Sequence, residues 1–141
     1  MIPVLIKADS QVYSSALIQQ CMSSWYQQYQ MIWDERQFEE NWAECDNYEI
    51  FIQQQRVGIC RLYYDQKYCY LRDLHIETEY RNQGIGEQVL GLISNLCLGK
   101  GLDALRLRVF LDNPASRLYL RYGFMPLKAD HSTRYMEYQI R

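Results

Sequence analysis

Arg81-Asn82-Gln83-Gly84-Ile85-Gly86 is the segment whose residue types and spacing most directly imply chemistry. It runs into Val89, Ile93 and Leu96, which recur with Ile85 at helical spacing. A helix therefore starts near the two glycines. The first N–H groups of a helix have no partner within it and carry partial positive charge. Glycine lacks the Cβ that would hold a ligand away from that backbone. Together these features suit a diphosphate. Just upstream, apolar Leu71, Leu74 and Ile76 suit a buried strand. The anion site is thus expected at a strand-turn-helix junction.

Several diphosphate binders can be separated by pattern. Gly84-Ile85-Gly86 matches the start of a dinucleotide fingerprint, but Val89 stands where its third glycine belongs. That fingerprint also opens the first βα turn of its fold, whereas here several strands precede it. No segment reads G-x-x-x-x-G-K, so a Walker loop is absent from the sequence.

The elements that must position this junction follow from periodicity and punctuation. Residues 2–7 read as a strand. Asp9 and Ser10 offer caps for a helix to about Trp25, with Val12, Ala16, Leu17, Cys21 and Trp25 on its buried face. Asp34 and Gln37 have capping-box spacing, and Phe38, Trp42 and Cys45 mark one face of a second short helix. Strands over 48–53, 57–64 and 68–76 form an antiparallel meander. The glycine-started helix ends at Gly99 and Gly101. Leu105, Leu107, Val109 and Leu111 alternate with polar or aromatic residues and read as a strand. Asn113 caps the next helix, with Pro114 at its first position. Gly123 ends it, and strands over 124–127 and 132–140 close the chain. The order is β-α-α-β-β-β-α-β-α-β-β.

Two segments of this chain resemble motifs of the GCN5-related N-acetyltransferase (GNAT) superfamily. Arg81, Gly84 and Gly86 match its acyl-CoA-binding pattern, Q/R-x-x-G-x-G/A. Asn113, Ala115, Tyr119, Gly123 and Phe124 match its late pattern, N-x-A-x-x-x-Y-x-x-x-G-F. Both lie in the expected order on the expected elements. The resemblance covers the C-terminal two-thirds well and the first fifty residues by element order only. It implies an α/β (α+β) fold, the acyl-CoA N-acyltransferase fold, with a mixed central sheet of about seven strands and helices on both faces. Residues 1–141 would form a single N-acetyltransferase domain.

The resemblance also implies a site. The ligand would be acetyl-CoA as co-substrate, without a metal. Its pantetheine arm would lie where the strands ending near Ile76 and Leu111 splay apart, pairing with main-chain groups of Leu74, His75 and Ile76. Main-chain N–H groups from Asn82, Gln83, Gly84, Ile85, Gly86 and Glu87 would hold the pyrophosphate, with Arg81 opening the motif. Asn113 would add a contact to the arm. An amine acceptor would attack directly in a ternary complex. Tyr119 would protonate the departing thiolate, since a phenol and a thiol have comparable pKa values. Asp73 is the candidate base, with a salt bridge to Arg72 or Arg106 as the competing reading. His75 would share its face in a regular strand. Tyr122 reads as structural. The other class consistent with the same motifs is a non-catalytic acyl-CoA-binding sensor.

Composition bounds the rest. The chain has 141 residues and a formal net charge of -2, enough for one core and no footprint for nucleic acid. No apolar run approaches the roughly 18 residues of a membrane span. The N-terminus lacks the pattern of a secretory signal, so the cytoplasm is the expected compartment. The five cysteines are odd in number and show no C-x-x-C spacing, which argues against disulfides or a metal. They are expected as small core residues, and none has a catalytic partner nearby in sequence. Most of the thirteen tyrosines lie in strand-like segments and read as packing. The acidic set Asp34, Glu35, Glu39, Glu40 and Glu44 reads as a solvated helix face. Trp25, Tyr26, Tyr29 and Trp33 fall in the segment that often walls the acceptor pocket in the superfamily. Arg117 and Arg121 would meet CoA phosphates or face solvent. Exposed sheet edges near the C-terminus make a homodimer an expectation.

Overall fold

A computed structural model describes residues 2–141. Strand β1 (Pro3–Lys7) leads into helices α1 (Val12–Gln28) and α2 (Glu35–Trp42). The meander follows as β2 (Asp46–Ile52), β3 (Gln55–Tyr64) and β4 (Tyr68–Ile76). A single 3-10 turn, Thr78–Tyr80, then precedes α3 (Ile85–Gly99). The chain closes with β5 (Ala104–Phe110), α4 (Ala115–Tyr122), β6 (Met125–Ala129) and β7 (Thr133–Gln139). The seven strands form one mixed sheet in the order β1-β2-β3-β4-β5-β7-β6.

The alternation of each strand divides the core into two layers. Leu62, Cys69, Leu71, Leu105 and Leu107 face α3, where Ile85, Val89, Leu90, Ile93 and Cys97 are fully or nearly fully buried. Ile59 faces the other way and packs with Leu17 and Ile18 of α1 and Phe38 of α2. The sheet therefore has helices on both faces, as the element order predicts.

One irregularity shapes the function of this sheet. β4 and β5 are its parallel neighbours, and they pair only at Tyr68–Ala104, Cys69–Leu105 and Tyr70–Arg106. On its other side β4 carries a bulge against β3. Leu71 faces Leu62, and Asp73 faces Arg61, so Arg72 is the extra residue. A bulge bends its strand and sharpens the local twist. Beyond it, β4 and β5 diverge and leave an open wedge between 71–76 and 107–110.

The β3 side of the wedge is held close by Gly58. A Cβ built there would lie 2.3 Å from the His75 carbonyl oxygen and 3.2 Å from Ile76 Cα. Only backbone movement could relieve the first contact. Gly58→Ala should destabilise the fold by roughly 1–3 kcal/mol or more, seen as a lower midpoint in chemical denaturation. A wild-type midpoint would show that β4 shifts freely.

Two local readings need correction. The buried stripe of α1 is Ser14, Ser15, Leu17 and Ile18, while Val12 is 72% exposed and Ala16 is also exposed. Apolar residues are spread around this helix, so their spacing leaves the phase of the stripe undecided. The hydroxyl of Ser10 does accept from the Val12 N–H at 3.1 Å. The last strand pair is Met125–Ala129 with Thr133–Gln139, and Phe124 is instead a core residue, 2% exposed. β6 is exposed along its whole length and forms one sheet edge, with β1 at the other.

Candidate active site

The turn before α3 is built to expose backbone donors. Asn82 and Gly84 have positive φ of 61° and 79°, so the chain reverses handedness twice before the helix. Gly84 has nothing within 4 Å of where a Cβ would stand, so its outer face is open. At Gly86 a Cβ would come within 2.9 Å of Leu118 Cδ2, and its absence lets α4 pack on α3. The first N–H of the turn with an acceptor is that of Gln88, which donates to Gly84 O at 3.2 Å. Among the described residues, the N–H groups of 82–87 have no recorded acceptor. The side chains fold back instead. Arg81 Nε donates to Ile76 O at 2.9 Å, and Gln83 Nε2 to Glu79 O at 3.2 Å. Glu87 leans toward Arg121 at 4.0 Å.

This row of donors opens onto a cleft of about 880 Å³. Its walls are the diverging ends of β4 and β5, with Cys21, Trp25 and Tyr26 of α1 above and Tyr119 of α4 beside. Main-chain groups alternate sides along a strand. Glu77 N–H donates to Val57 O on β3 at 2.8 Å. The main chain of His75, two residues back, therefore also turns toward β3, opposite Ile59. Of the three residues expected to offer main-chain groups there, Leu74 and Ile76 turn theirs toward the cleft, and Arg81 occupies the Ile76 carbonyl.

Asn113 serves as cap, its Oδ1 accepting from Ala115 N–H at 2.9 Å. Pro114 then occupies the first turn at φ -59°. That cap starts α4 and so fixes Tyr119, which is 7% exposed and packs edge-on against Phe124 at 5.5 Å. Burial, and then the nearby Asp73 charge, push the Tyr119 phenol well above its ordinary pKa. It stays protonated at neutral pH. Tyr122 faces elsewhere, hydrogen-bonded to Ser94 at 3.0 Å and packed on Tyr138.

Asp73 is engaged on both oxygens. Oδ2 accepts from Arg61 Nη1 at 3.0 Å, and Oδ1 lies 3.5 Å from His75 Nε2. The expected partners Arg72 and Arg106 are committed elsewhere. Arg72 lies over the Tyr63 ring, and Arg106 pairs with Glu137 at 2.7 Å. The bulge explains the difference, because it puts Asp73 directly opposite Arg61. Arg61 is 5% exposed and also donates to Asn47 Oδ1 at 2.9 Å.

Across the cleft, Trp25 Nε1 and Tyr29 Oη both donate to Asp112 Oδ1, at 3.1 and 3.3 Å. Tyr29 stacks on Phe110 at 4.9 Å. These contacts tie the end of α1 to the end of β5 and fix the rim of the wedge. Arg61, Cys21 and Asp112 were not singled out as site residues in the sequence. They lie far in sequence from the groups they touch, and no spacing rule links them.

The acetyltransferase (GNAT) family matches residues 15–124 of the chain. This chain belongs to the GNAT family. Bovine thialysine N-epsilon-acetyltransferase is 42% identical over 59 residues, which are 41% of this chain and 35% of that protein. The match thus spans about a third of that relative's length. Among solved structures, the PaiA N-acetyltransferase of Thermoplasma acidophilum in complex with coenzyme A superposes with a TM-score of 0.73. Its identity is 21%, over 99% of each chain. Ard1 of Thermoplasma volcanium gives a TM-score of 0.79 at 14% identity, covering 99% of this chain and 98% of that one. At such identities the structures establish the fold. The wedge between β4 and β5 and the donor turn before α3 are therefore parts of a GNAT fold. No helix of this GNAT domain is long and apolar enough to cross a membrane among the described residues.

Proposed function

We propose that this GNAT protein transfers the acetyl group of acetyl-CoA to a primary amine, by direct attack in a ternary complex. The observation that carries the reading is the row of unpartnered N–H groups at 82–87 opening onto the wedge between β4 and β5. A pyrophosphate in that turn would meet several donors, each worth roughly 1.5–3 kcal/mol to a charged acceptor. The pantetheine arm would continue into the wedge and pair with the main chain of Leu74 and the Ile76 N–H, the Ile76 carbonyl being held by Arg81. A cleft of about 880 Å³ is in the range of small-ligand sites.

The chemistry then divides among named groups. An N–H of the bulged strand, at Leu74 or Ile76, faces the thioester carbonyl and stabilises charge on its oxygen. Tyr119 supplies the proton to the leaving thiolate. A lysine-like amine with pKa near 10.4 requires roughly 4–5 kcal/mol to be neutral at pH 7. Asp73 takes that proton, through water, because its oxygens are already held by Arg61 and His75. The aromatic rim of Trp25 and Tyr26 leaves room for the acceptor chain. The partial match to a thialysine acetyltransferase supports trying small amino-acid amines first.

Calorimetric titration with acetyl-CoA, followed by thiol release with an amine panel that includes thialysine, tests this reading. Binding with release is the expected result. Tight binding without release from any amine would favour an acyl-CoA sensor, and failure to bind would overturn the reading.

A further inference from the structure

Cys21 has the surroundings of a nucleophile that direct transfer does not use. It lies on α1 at the cleft wall, half-buried, with Arg81 Nη2 3.2 Å from its Sγ. The His75 side chain lines the same cleft wall, close enough for its charge to act on the thiol. His75 Nε2 lies 3.5 Å from Asp73 Oδ1, and Asp73 is itself fixed by Arg61. The wall thus carries a thiol held by Arg81, with an imidazole beside it that a carboxylate orients. That is the arrangement by which a weak nucleophile is activated. The two strand residues are i and i+2 on one face, and α1 delivers the cysteine from 54 positions away in sequence. Among the described residues, no three His, Cys, Asp or Glu side chains are arranged to hold a metal ion.

We propose that Cys21 is a second acyl acceptor, which takes the acyl group from bound acyl-CoA when no amine is present. The inference rests on the proposed binding of acyl-CoA in this cleft. The Cys21 sulfur attacks the thioester carbonyl carbon, a new carbon–sulfur bond forms, and the bond to the coenzyme A sulfur breaks. The proton that Cys21 yields to His75 passes to the departing thiolate. The products are S-acyl-Cys21 and free coenzyme A. One thioester replaces another, so the exchange is close to balanced and needs no other reactant. An arriving amine can then attack the new thioester, and amide formation drains it.

Electrostatics agree with the geometry. Burial opposes charge on His75, but Asp73 and Cys21 beside it hold its pKa up at about 9. Burial opposes the thiolate, but His75 and then Arg81 bring the Cys21 pKa below the ordinary thiol value. The thiol is therefore easier to ionise than an ordinary cysteine, and His75 beside it favours the charged form. The other cysteines differ. Cys60, Cys69 and Cys97 are fully buried. Burial also raises the Cys45 pKa, despite Arg61 and Arg72 nearby.

The test has separable arms. Coenzyme A binding is first measured by calorimetry, which judges the parent reading. The protein is then incubated with acetyl-CoA and no amine, quenched in acid and digested for mass spectrometry. One acetyl group on the Cys21 peptide, absent in Cys21→Ser, is the expected result. Binding of coenzyme A with no acetyl on Cys21 would overturn the inference and leave the parent reading intact. Iodoacetamide labelling of the unliganded protein judges the nucleophile without acyl-CoA. Cys21 should react first, down to pH values below the ordinary thiol range, and coenzyme A should slow it. His75→Gln should slow labelling by roughly tenfold at neutral pH. Labelling of Cys21 no faster than Cys45 would refute its activation.

Discussion

Tyr119→Phe should lower kcat for amine acetylation by roughly a hundredfold or more, the range for a positioned proton donor, with little change in coenzyme A affinity. The substitution removes one oxygen and keeps the ring. The edge-on contact with Phe124 at 5.5 Å remains, so the fold should barely respond. The burial and the Asp73 charge that push the phenol pKa upward both disfavour phenolate. Tyr119 therefore enters the proposed reaction protonated, available to donate to the leaving sulfur and unable to serve as a base. In the proposed mechanism its proton would be needed only as the carbon–sulfur bond breaks. A group used only there lowers kcat and kcat/KM together. Single-turnover thiol release and calorimetry on the same variant separate the two effects. Unchanged release would remove Tyr119 from the reaction, and the thiolate would then leave unassisted.

The parts of this molecule that were legible in advance are those with short-range causes. Strand alternation at Leu105, Leu107 and Val109 and the cap at Asn113 depend on neighbours a few residues away, and both survive folding, although the strand stops at Phe110 and Leu111 lies in the turn. The donor turn was equally readable, because Gly84 and the helix pattern after it lie within one segment. The bulge at Arg72 was not. It is defined by register against β3, and nothing local in Leu71-Arg72-Asp73 marks it. Its consequences were therefore hidden too, including the pairing of Asp73 with Arg61 and the departure of β4 from β5. The stripe of α1 was misphased for a related reason. Its orientation is set by what it covers, with Tyr13 held by Glu77 at 2.8 Å and Ser15 held by Glu35 at 3.1 Å. Both contacts join residues distant in the chain. The environment of Cys21 depends on that same orientation.

Arg61→Met should carry the largest stability loss, about 3 kcal/mol, because it leaves a largely buried carboxylate with only the His75 imidazolium as its partner. Arg61 is 5% exposed and ties three parts of the fold together. Nη1 holds Asp73 on β4, and Nε holds Asn47, whose amide donates to Trp42 O and Cys45 O at the end of α2. The guanidinium also lies 4.4 Å over the Phe38 ring. Methionine can replace the apolar contact but none of the donors. The double variant Arg61→Met/Asp73→Asn removes both charges together and should recover a substantial part of the loss. Urea denaturation of the two single variants and the double gives the coupling directly. Strictly additive losses would show that the arginine stabilises α2 and β2 independently of Asp73. A large coupling would mean that the bulge, the carboxylate and the arginine form one unit. In that case Asp73→Asn cannot be read as a change of base alone, since it also unpairs Arg61 and loosens His75. The pH–rate curve of Asp73→Asn then has meaning only beside that of the double variant, where Arg61 no longer needs a partner. A shift shared by both curves would assign proton removal to Asp73, and a shift confined to the single variant would assign it to the broken ion pair.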